Sequence, residues 1–432
     1  MEWYMLFICY VGILLLLLCL GTWVPFALGA TGLVGLYLLG DPTSFQALGF
    51  IAWNSVNNFE LTSIPLFILM GDIILKSGIS HKFYYSASVL LRKLPGGLLQ
   101  TNIVSCSFFA AISGSSLATA AAIGSVSVPE LTKRGYNRPM IFGSLGGGGA
   151  LGILIPPSIP LIIYGSMVEE SVAKLFIAGI VPGLVATLIF MIYIAVMCLI
   201  KPELTPDLEP TTWSEKIKSI GGILPLTILV GLIASGIYLG FTTPTEAAGF
   251  GVVAALIICG FYKKITYENI KQSLISTVKT TSMVLFIVVA AQILSYLIVK
   301  SGINRGLTDW VVSLDPSPAL FLIVIILLYL ILGCLIDGLS LIFLTLPVLW
   351  PLVQAMGFDP IWFGILLVIL IEVAQITPPV GLNLYVLQGI AGEKTPLTDI
   401  IKGNIPYFFL YLFLALLIIL FPQIVLWLPS NM

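Results

Sequence analysis

Ser113-Gly114-Ser115-Ser116 interrupts one long apolar run of this chain, and Asp337-Gly338-Leu339-Ser340 interrupts another, half a chain later. The offset from Gly114 to Gly338 is 224 residues, and three further landmarks recur at nearly the same offset. They are Leu75–Ile79 with Val299–Ile303, Ile155-Pro156-Pro157 with Thr377-Pro378-Pro379, and Gly179 and Pro182 with Gly403 and Pro406. The sequence therefore predicts an internal repeat whose two copies are broken by Gly and Pro at matching positions.

The composition is that of a polytopic membrane protein. Of the 432 residues, 59% are hydrophobic and 9% are charged, whereas a soluble domain has roughly 25% charged residues. The first four residues contain no basic cluster, so the first apolar stretch is predicted to be a retained span and not a cleaved signal. Scattered cysteines without CxxC spacing and a single histidine, His81, argue against metal chemistry and disulfides.

Apolar stretches follow the same order in both halves, and a span needs about 20 residues. The first half has spans at 4–20, 24–40 and 60–76, an amphipathic stretch at 79–93, a hairpin of short segments at 97–113 and 116–131, a broken segment at 139–168 and a span at 175–200. A charged linker, 201–219, contains Asp207 and Glu209. The second half has spans at 221–240 and 245–262, a polar amphipathic stretch at 265–278, a span at 280–299, a hairpin at 318–336 and 339–353, a broken segment at 361–390 and a span at 405–428.

This order predicts an all-α membrane protein with an inverted repeat, two re-entrant hairpins and two broken helices. If the hairpins do not cross, each half crosses the membrane five times, and an odd number inverts the second half. With the loop around 77–96 inside, every Lys and Arg except Lys174, Lys300 and Arg305 is on the inner side, as the positive-inside rule requires. Both termini are then outside, and the hairpins open to opposite sides.

The two hairpin turns are candidates for a binding site. Small residues in membranes more commonly form close helix contacts, which fits 118–122 and 146–149. At Ser113–Ser116, however, one half-helix ends and another begins, so carbonyls and amides lack intrahelical partners. A cation at the carbonyl end and an anion at the amide end would satisfy them, and matching breaks in two halves are typical of transporter sites.

The paired prolines supply the other wall of each predicted site. Proline removes an amide and frees upstream carbonyls, and although a single proline gives a simple kink, two equivalent doublets favour a site. We predict a cation pocket between each hairpin tip and the neighbouring broken helix, with mostly neutral oxygen ligands that suit Na⁺. The first is formed by Ser113, Gly114, Ser115, Ser116, Gly152 and Ile155, and the second by Asp337, Gly338, Ser340, Thr377 and Pro378.

The substrate is expected between the two pockets, facing the amide ends of the half-helices. No Lys or Arg occurs in 97–132, 139–168, 318–353 or 361–390. An anionic substrate would therefore be held by helix dipoles, hydroxyls and amides. The candidate side chains are Ser116, Ser158, Ser340, Asn383 and Tyr385.

Three carboxylates fall within predicted spans, where such groups are costly and usually functional. Asp72 can pair with Lys76 one turn later. Glu246 is in the first turn of a helix, where the dipole favours a negative charge. Both are interpreted as structural, whereas Glu372 is either a packing anchor or a protonatable group.

Taken together, the motifs resemble those of the large membrane subunit of the tripartite ATP-independent periplasmic (TRAP) transporters. The resemblance covers essentially the whole chain, and the set is specific although each motif alone is weak. The motifs are Ser63-Ile64-Pro65-Leu66-Phe67, Ser113-Gly114-Ser115-Ser116, Ile155-Pro156-Pro157-Ser158, Ala178–Gly183, Thr243–Ala248 and Gln375-Ile376-Thr377-Pro378-Pro379.

The resemblance implies a subunit of the bacterial inner membrane that imports an organic acid with Na⁺ by an elevator mechanism. It also implies two protein partners, a small membrane subunit and a periplasmic substrate-binding protein. The small subunit is fused to the large one in some members, and a separate chain is expected here. Family substrates include C4-dicarboxylates and sialic acid, and this chain leans toward the sialic acid type. No organic cofactor and no nucleic acid partner are expected.

In an elevator, a transport domain moves against a fixed scaffold. We expect scaffold helices in 1–58, 175–262 and 405–432, and a transport domain made of 60–168 and 280–390. Within the latter, the hairpins are about 97–131 and 318–353, and the broken helices are 139–168 and 361–390.

Three other functions were weighed against this one. A stand-alone Na⁺/carboxylate symporter of related fold would transport free substrate without a soluble receptor. An intramembrane enzyme needs a nucleophile and a base, and this chain has one histidine, no convincing acidic pair and no GxxxxGK[ST] sequence. A channel should not need two symmetric broken hairpins.

Overall fold

A computed structural model describes residues 2–40, 43–206, 211–334, 336–379, 381–392 and 395–432. Asp207 and Glu209 of the linker, and Lys394 among the basic residues assigned to the inner side, lie outside the described residues. The described part is helical and contains no β-strand. The first half has α1 (Trp3–Cys19), α2 (Val24–Leu39), α3 (Thr43–Gln46), α4 (Leu48–Val56), α5 (Ser63–Lys76), α6 (Ile79–Leu91), α7 (Leu98–Ser113), α8 (Ser116–Lys133), α9 (Arg138–Ala150), α10 (Ile159–Val168) and α11 (Val172–Ile200).

The second half repeats this order. It has α12 (Trp213–Tyr238), α13 (Pro244–Phe261), α14 (Tyr267–Lys300), α15 (Ile303–Ser313), α16 (Pro318–Gly333), α17 (Gly338–Ala355), α18 (Pro360–Gln375), α19 (Leu382–Ala391), α20 (Leu397–Leu420) and α21 (Gln423–Leu426). Short 3-10 helices are Glu60–Thr62, Leu151–Ile153, Pro202–Leu204 and Pro429–Asn431.

One pair of equivalent segments differs in shape between the halves. Residues 43–76 and 267–300 are offset by 224 at both ends, but the first is bent by 56° between Val56 and Glu60, whereas the second is the single helix α14. The predicted division of the second segment into an amphipathic stretch, 265–278, and a separate span, 280–299, is therefore wrong. The reason is local: 267–300 contains neither Gly nor Pro, whereas the first copy contains Asn57-Asn58 at its bend.

The helix interruptions occur where the sequence predicts them. In the first hairpin, α7 ends at Ser113, Gly114 adopts a left-handed φ of 59°, and α8 begins at Ser116. In the second, Asp337 caps the start of α17. The Pro-Pro segments separate α9 from α10 and α18 from α19, and both Pro-Pro peptide bonds are cis.

Among the described residues, six helices are long and apolar enough to cross a membrane, or seven if the bent segment 43–76 counts as one span. They include α17, which the sequence assigns to a hairpin. In α17, 61% of the apolar window is buried inside the protein, compared with 28% in α11 and α12. The protein is therefore a multi-pass membrane protein in which α17 is more buried than the other candidate spans, and its number of crossings stays a prediction.

The broken helix α9 packs closely on α20. A Cβ atom on Gly143 would lie 2.2 Å from the carbonyl oxygen of Gly403, so both positions require glycine. The Asn404 side chain donates to the Phe142 carbonyl at 3.3 Å, and Tyr411 donates to the Gly147 carbonyl at 2.9 Å. The close approach predicted for 146–149 is confirmed. Elsewhere α2 packs on α14, α13 on α5, and α12 on α6.

Candidate functional site at the meeting point of the two hairpin tips

A cavity of about 560 Å³ lies where the two hairpin tips come together. Its wall includes both tips, the starts of α10 and α19, the end of α18, and one face each of α5 and α14. The lining residues that bear on function are Ser113, Gly114, Ser115, Ser116, Asp337, Gly338, Asp72, Ser276, Thr280 and Gln375. Two segments more than two hundred residues apart in sequence therefore form one site.

The first tip is docked onto the first helix break. The Ser116 hydroxyl donates to the Ala150 carbonyl at 3.1 Å, which joins the start of α8 to the end of α9. A Cβ atom on Gly152 would lie 2.6 Å from the Ser115 carbonyl oxygen. Gly152 thus lies directly beside the tip, whereas the Ile155 side chain faces Gly183 of α11.

Within the tip, the serine side chains form a small network. The hydroxyls of Ser113 and Thr119 are 2.8 Å apart, and the Ser115 hydroxyl caps α8 by accepting from the Ala118 amide at 3.4 Å. A Cβ atom on Gly114 would lie 2.9 Å from the Pro157 carbonyl oxygen. The predicted residues Ser113 to Ser116 are therefore brought together with Gly152 and the first Pro-Pro segment.

The second tip packs on the end of α18. One carboxylate oxygen of Asp337 accepts from the Ser340 amide at 3.1 Å, and a Cβ atom on Gly338 would lie 2.8 Å from the Gln375 side-chain nitrogen. The Thr377 hydroxyl donates to the Val373 carbonyl at 2.5 Å, and the Pro378 carbonyl accepts from the Cys334 thiol at 3.3 Å. Asp337 and Gly338 line the cavity, whereas Ser340, Thr377 and Pro378 do not.

Of the side chains predicted to touch the substrate, Ser116 lines the cavity and four others do not. Ser158 is buried, caps α10 and donates to the Ile153 carbonyl, so its hydrogen bonds are internal. Tyr385 is about half exposed and donates to the Pro379 carbonyl at 3.2 Å. Asn383 differs because it is fully buried and neither atom of its amide group has a hydrogen-bond partner.

Several cavity residues were not identified from the sequence. Asp72 forms the predicted pair with Lys76, at 3.7 Å, but it also lines the cavity. Ser276, Thr280 and Gln375 line it as well. Hydroxyl residues recur every three to four positions along 273–281, which is the spacing of one helix face and was the available signal.

The other two intramembrane carboxylates have different surroundings. Glu246 accepts from the Thr243 amide at 2.8 Å and completes a capping box at the start of α13, which confirms its structural role. Glu372 is fully buried in α18, and one of its oxygens accepts from the Ile153 amide at 3.3 Å. The sequence analysis did not predict this contact between the two repeats.

The cavity wall carries two carboxylates, Asp72 and Asp337, and no Lys or Arg among its described lining residues. Carboxylate, hydroxyl and backbone oxygens are the ligands that hard cations prefer. The starts of α8 and α17 also face the cavity, and the first turn of a helix favours a negative group. The arrangement can therefore accommodate a cation and an anion next to each other.

Comparison with known proteins supports this description. The family model of the tripartite ATP-independent periplasmic transporter DctM component matches residues 11–424. The C4-dicarboxylate TRAP transporter large permease protein DctM of Pseudomonas aeruginosa is 33% identical over 407 residues, which are 94% of each chain. The sialic acid TRAP transporter large permease protein SiaM of Vibrio cholerae is 30% identical, over 92% of this chain and 97% of its own.

The fold has a counterpart among solved structures. The YdaH transporter of Alcanivorax borkumensis superimposes with a TM-score of 0.61 over 98% of both chains, at 16% identity. At that identity the likeness shows the fold alone, while the family rests on the sequence matches. The chain belongs to the DctM component family of the tripartite ATP-independent periplasmic transporters, and it is a membrane permease subunit and not an enzyme.

Proposed function

We propose that this chain is the large subunit of a TRAP transporter that imports an organic acid together with Na⁺. The observation that carries the proposal is the single cavity at which both hairpin tips meet. Relatives named for a C4-dicarboxylate and for sialic acid support an organic acid as the cargo. Na⁺ would occupy the two tip-and-break pockets, and the acid would bind between them.

The proposed ion sites follow from the oxygen atoms and the negative charges of the residues that line the main cavity. In the first pocket, the ligands would be hydroxyl and carbonyl oxygens of Ser113 to Ser116 with the backbone at Gly152. In the second, the Asp337 carboxylate would supply the only full negative charge. Because the described residues of the cavity lining offer no fixed positive charge, bound Na⁺ would supply the field that holds the substrate carboxylate. Na⁺ and the substrate would therefore each favour binding of the other.

We propose an elevator whose moving part differs in its helices from the one that the sequence suggests. The sequence assigns α11 and α20 to the scaffold, but α20 packs mainly on α9 and α18, and α11 packs on α7, α18 and α20. The glycine contacts of α20 leave no room for sliding against α9. We therefore group α7–α11 and α16–α20 as the transport domain, carried by a scaffold of α1, α2, α12 and α13.

The bent and straight segments, 43–76 and 267–300, would be the arms between scaffold and transport domain. The cavity touches Asp72 and Leu75 near the end of α5 and Ser276 and Thr280 in the first half of α14. The predicted topology puts these parts on the cytoplasmic side, so the conformation is interpreted as inward-open.

A second cavity of about 280 Å³ supports an alternate route on the other side. It is lined by the outer arm regions, including Asn54, Asn58 and Gln292, and by Ser166 of α10. Gln292 is the repeat equivalent of Ile68, which lines the main cavity, since 292 minus 224 is 68. We infer that exchange of the two arm shapes would close the first cavity and open the second.

The partners are part of the proposal. TRAP permeases work with a small membrane subunit, expected here as a separate chain, and with a periplasmic substrate-binding protein. We place the complex in the bacterial inner membrane with both termini of this chain in the periplasm. The excess of basic residues in the loops assigned to the cytoplasm supports this orientation.

The test is uptake into proteoliposomes that contain the permease and its small subunit, with the purified binding protein outside. We expect saturable uptake of a C4-dicarboxylate or of sialic acid that requires both an inward Na⁺ gradient and the loaded binding protein. Equal uptake of free substrate without the binding protein would instead identify a stand-alone symporter. Uptake that is indifferent to Na⁺ would refute the coupling ion.

A further inference from the structure

The backbone at the first helix break is fixed by side chains from three different elements. Ser116 of the first hairpin donates to the Ala150 carbonyl at 3.1 Å. Ser158, at the start of α10, donates to the Ile153 carbonyl. Glu372, from α18 of the second repeat, accepts from the Ile153 amide at 3.3 Å. Both polar groups of the Ile153 peptide are thus satisfied by side chains, as a break buried in a membrane protein requires.

Glu372 is the member of this set that comes from the other repeat. Its side chain is fully buried, and its second carboxylate oxygen has no hydrogen-bond partner. The Tyr411 hydroxyl faces the carboxyl group but donates its proton to the Gly147 carbonyl at 2.9 Å. The Ile153 amide therefore donates to this carboxylate, and the Leu154 amide lies beside it.

Among the described residues, no equivalent contact runs in the opposite direction. The repeat equivalent of Glu372 is Ala150, since the offset at the paired prolines is 222 and 372 minus 222 is 150, and alanine has no polar side chain to reach across. Around the second break, the Thr377 hydroxyl donates to the Val373 carbonyl, and the Pro378 and Pro379 carbonyls accept from Cys334 and Tyr385, which all belong to the second repeat. Within the described residues, the hydrogen bond between Glu372 and Ile153 is therefore an asymmetric link between the two repeats at the first break.

We propose that Glu372 is a positioning residue, which carries a hydrogen-bond acceptor from the second repeat to Ile153 and thereby fixes the shape of the first ion pocket. Ile153 itself lines the main cavity, and its neighbour Gly152 touches the first hairpin tip. The role depends on the reach of the side chain and on its acceptor, not on its negative charge. The part that concerns Na⁺ rests on the proposed function, while the hydrogen bond and its effect on the break do not.

Three replacements of Glu372 distinguish the effect of side-chain length from the effect of negative charge. Glu372→Gln keeps the length and an acceptor oxygen but removes the charge. Glu372→Asp keeps the charge but shortens the side chain by one methylene, and Glu372→Met keeps the length without a comparable acceptor. The proposal requires Gln to behave like the wild type and both Asp and Met to differ from it. Asp and Gln both carry a hydrogen-bond acceptor. The comparison of Glu372→Asp with Glu372→Gln therefore tests the proposal even if the Glu372→Met protein does not fold.

The first measurement is hydrogen–deuterium exchange of peptides covering 147–160 in the reconstituted permease complex. We expect faster exchange around Ile153 in Glu372→Asp and Glu372→Met, by about fivefold, the equivalent of one net hydrogen bond. Exchange in Glu372→Gln should match the wild type. Ser144→Ala is the matched control, because it removes a buried hydrogen bond of α9, to Asn102, away from the break. Slow exchange in all variants would overturn the positioning role, whatever ion drives transport.

The second measurement is the Na⁺ concentration that gives half-maximal uptake. It should rise about fivefold in Glu372→Asp and Glu372→Met and change less than twofold in Glu372→Gln. The opposite pattern, with Asp like the wild type and Gln impaired, would show that the charge matters and would refute the proposal. If the wild type itself shows no Na⁺ dependence, the proposed function fails, and the exchange experiment alone decides the role of Glu372.

Discussion

At the scale of single residues, the site depends on side chains that join one helix end to another. Ser116 is such a residue, because it both begins α8 and donates to the last carbonyl of α9. The sequence located these residues because glycine, serine and proline report local backbone shape. It missed Asp72, Ser276 and Gln375, because which face of a helix lines a cavity is decided by packing with distant segments.

Removing the Ser116 hydroxyl should weaken the response to Na⁺. Ser116→Ala loses a buried hydrogen bond between hairpin and break, worth about 1 kcal/mol, so the Na⁺ concentration for half-maximal uptake should rise about fivefold. Ser125→Ala is the control, since Ser125 is an exposed serine of the same helix that bonds only to the Ala122 carbonyl. An unchanged Na⁺ response in Ser116→Ala would contradict the placement of the first pocket.

The charge of Asp337 can be separated from its capping role. Asp337→Asn keeps an acceptor for the Ser340 amide but removes the carboxylate from the cavity wall. We expect at least a tenfold rise in the Na⁺ requirement, about 1.4 kcal/mol, because a charged ligand contributes more than a neutral one. Asp359→Asn is the matched control: Asp359 caps α18 in the same way and does not line the cavity. Equal behaviour of the two variants would remove Asp337 from the ion site.

At the scale of elements, close helix contacts explain why glycine recurs at equivalent positions of the two repeats. Gly179 and Gly403 are repeat equivalents, and each touches a carbonyl of the first broken helix: a Cβ atom would lie 2.7 Å from the Leu154 oxygen in one case and 2.0 Å from the Pro139 oxygen in the other. In contrast, the continuity of α14 and the existence of α15 were not predicted, because apolar patterns alone do not show where a polar helix face is buried.

Adding one methyl group at Gly403 should destabilise the protein. Gly403→Ala forces a Cβ atom against backbone that cannot move aside, and overpacking of this kind costs about 1–3 kcal/mol. Gly389→Ala in α19 is the control, since nothing lies within 4 Å of its added methyl and helix propensity favours alanine by about 1 kcal/mol. Thermal unfolding in detergent should show a lower midpoint for Gly403→Ala alone. Equal midpoints would refute the close packing of α9 and α20.

At the scale of the whole molecule, the proposed movement of the transport domain can be tested by fixing it to an arm. The Asn58 side chain, at the bend of the first arm, donates to the Ser166 hydroxyl of α10 at 2.9 Å. This contact joins a segment assigned to the scaffold side to one assigned to the transport domain. Nothing in the local sequence around either residue indicates the pairing, since 108 positions separate them.

A disulfide between these positions should stop transport. In a background without the native cysteines, Asn58→Cys combined with Ser166→Cys should lose uptake under oxidation and regain it with a reductant. Each single replacement should be insensitive to the oxidant. Full uptake by the cross-linked protein would show that α10 does not move against the first arm, and the elevator proposal would fail.

The 56° bend in the first arm also has a pharmacological consequence. The crevice of about 280 Å³ beside it is separate in its lining from the cavity at the hairpin tips. A small molecule bound in this crevice would keep the arm bent and would leave the substrate site at the hairpin tips unoccupied. Such an inhibitor would lower the maximal import rate without competing with the cargo, and higher nutrient concentrations would not overcome it.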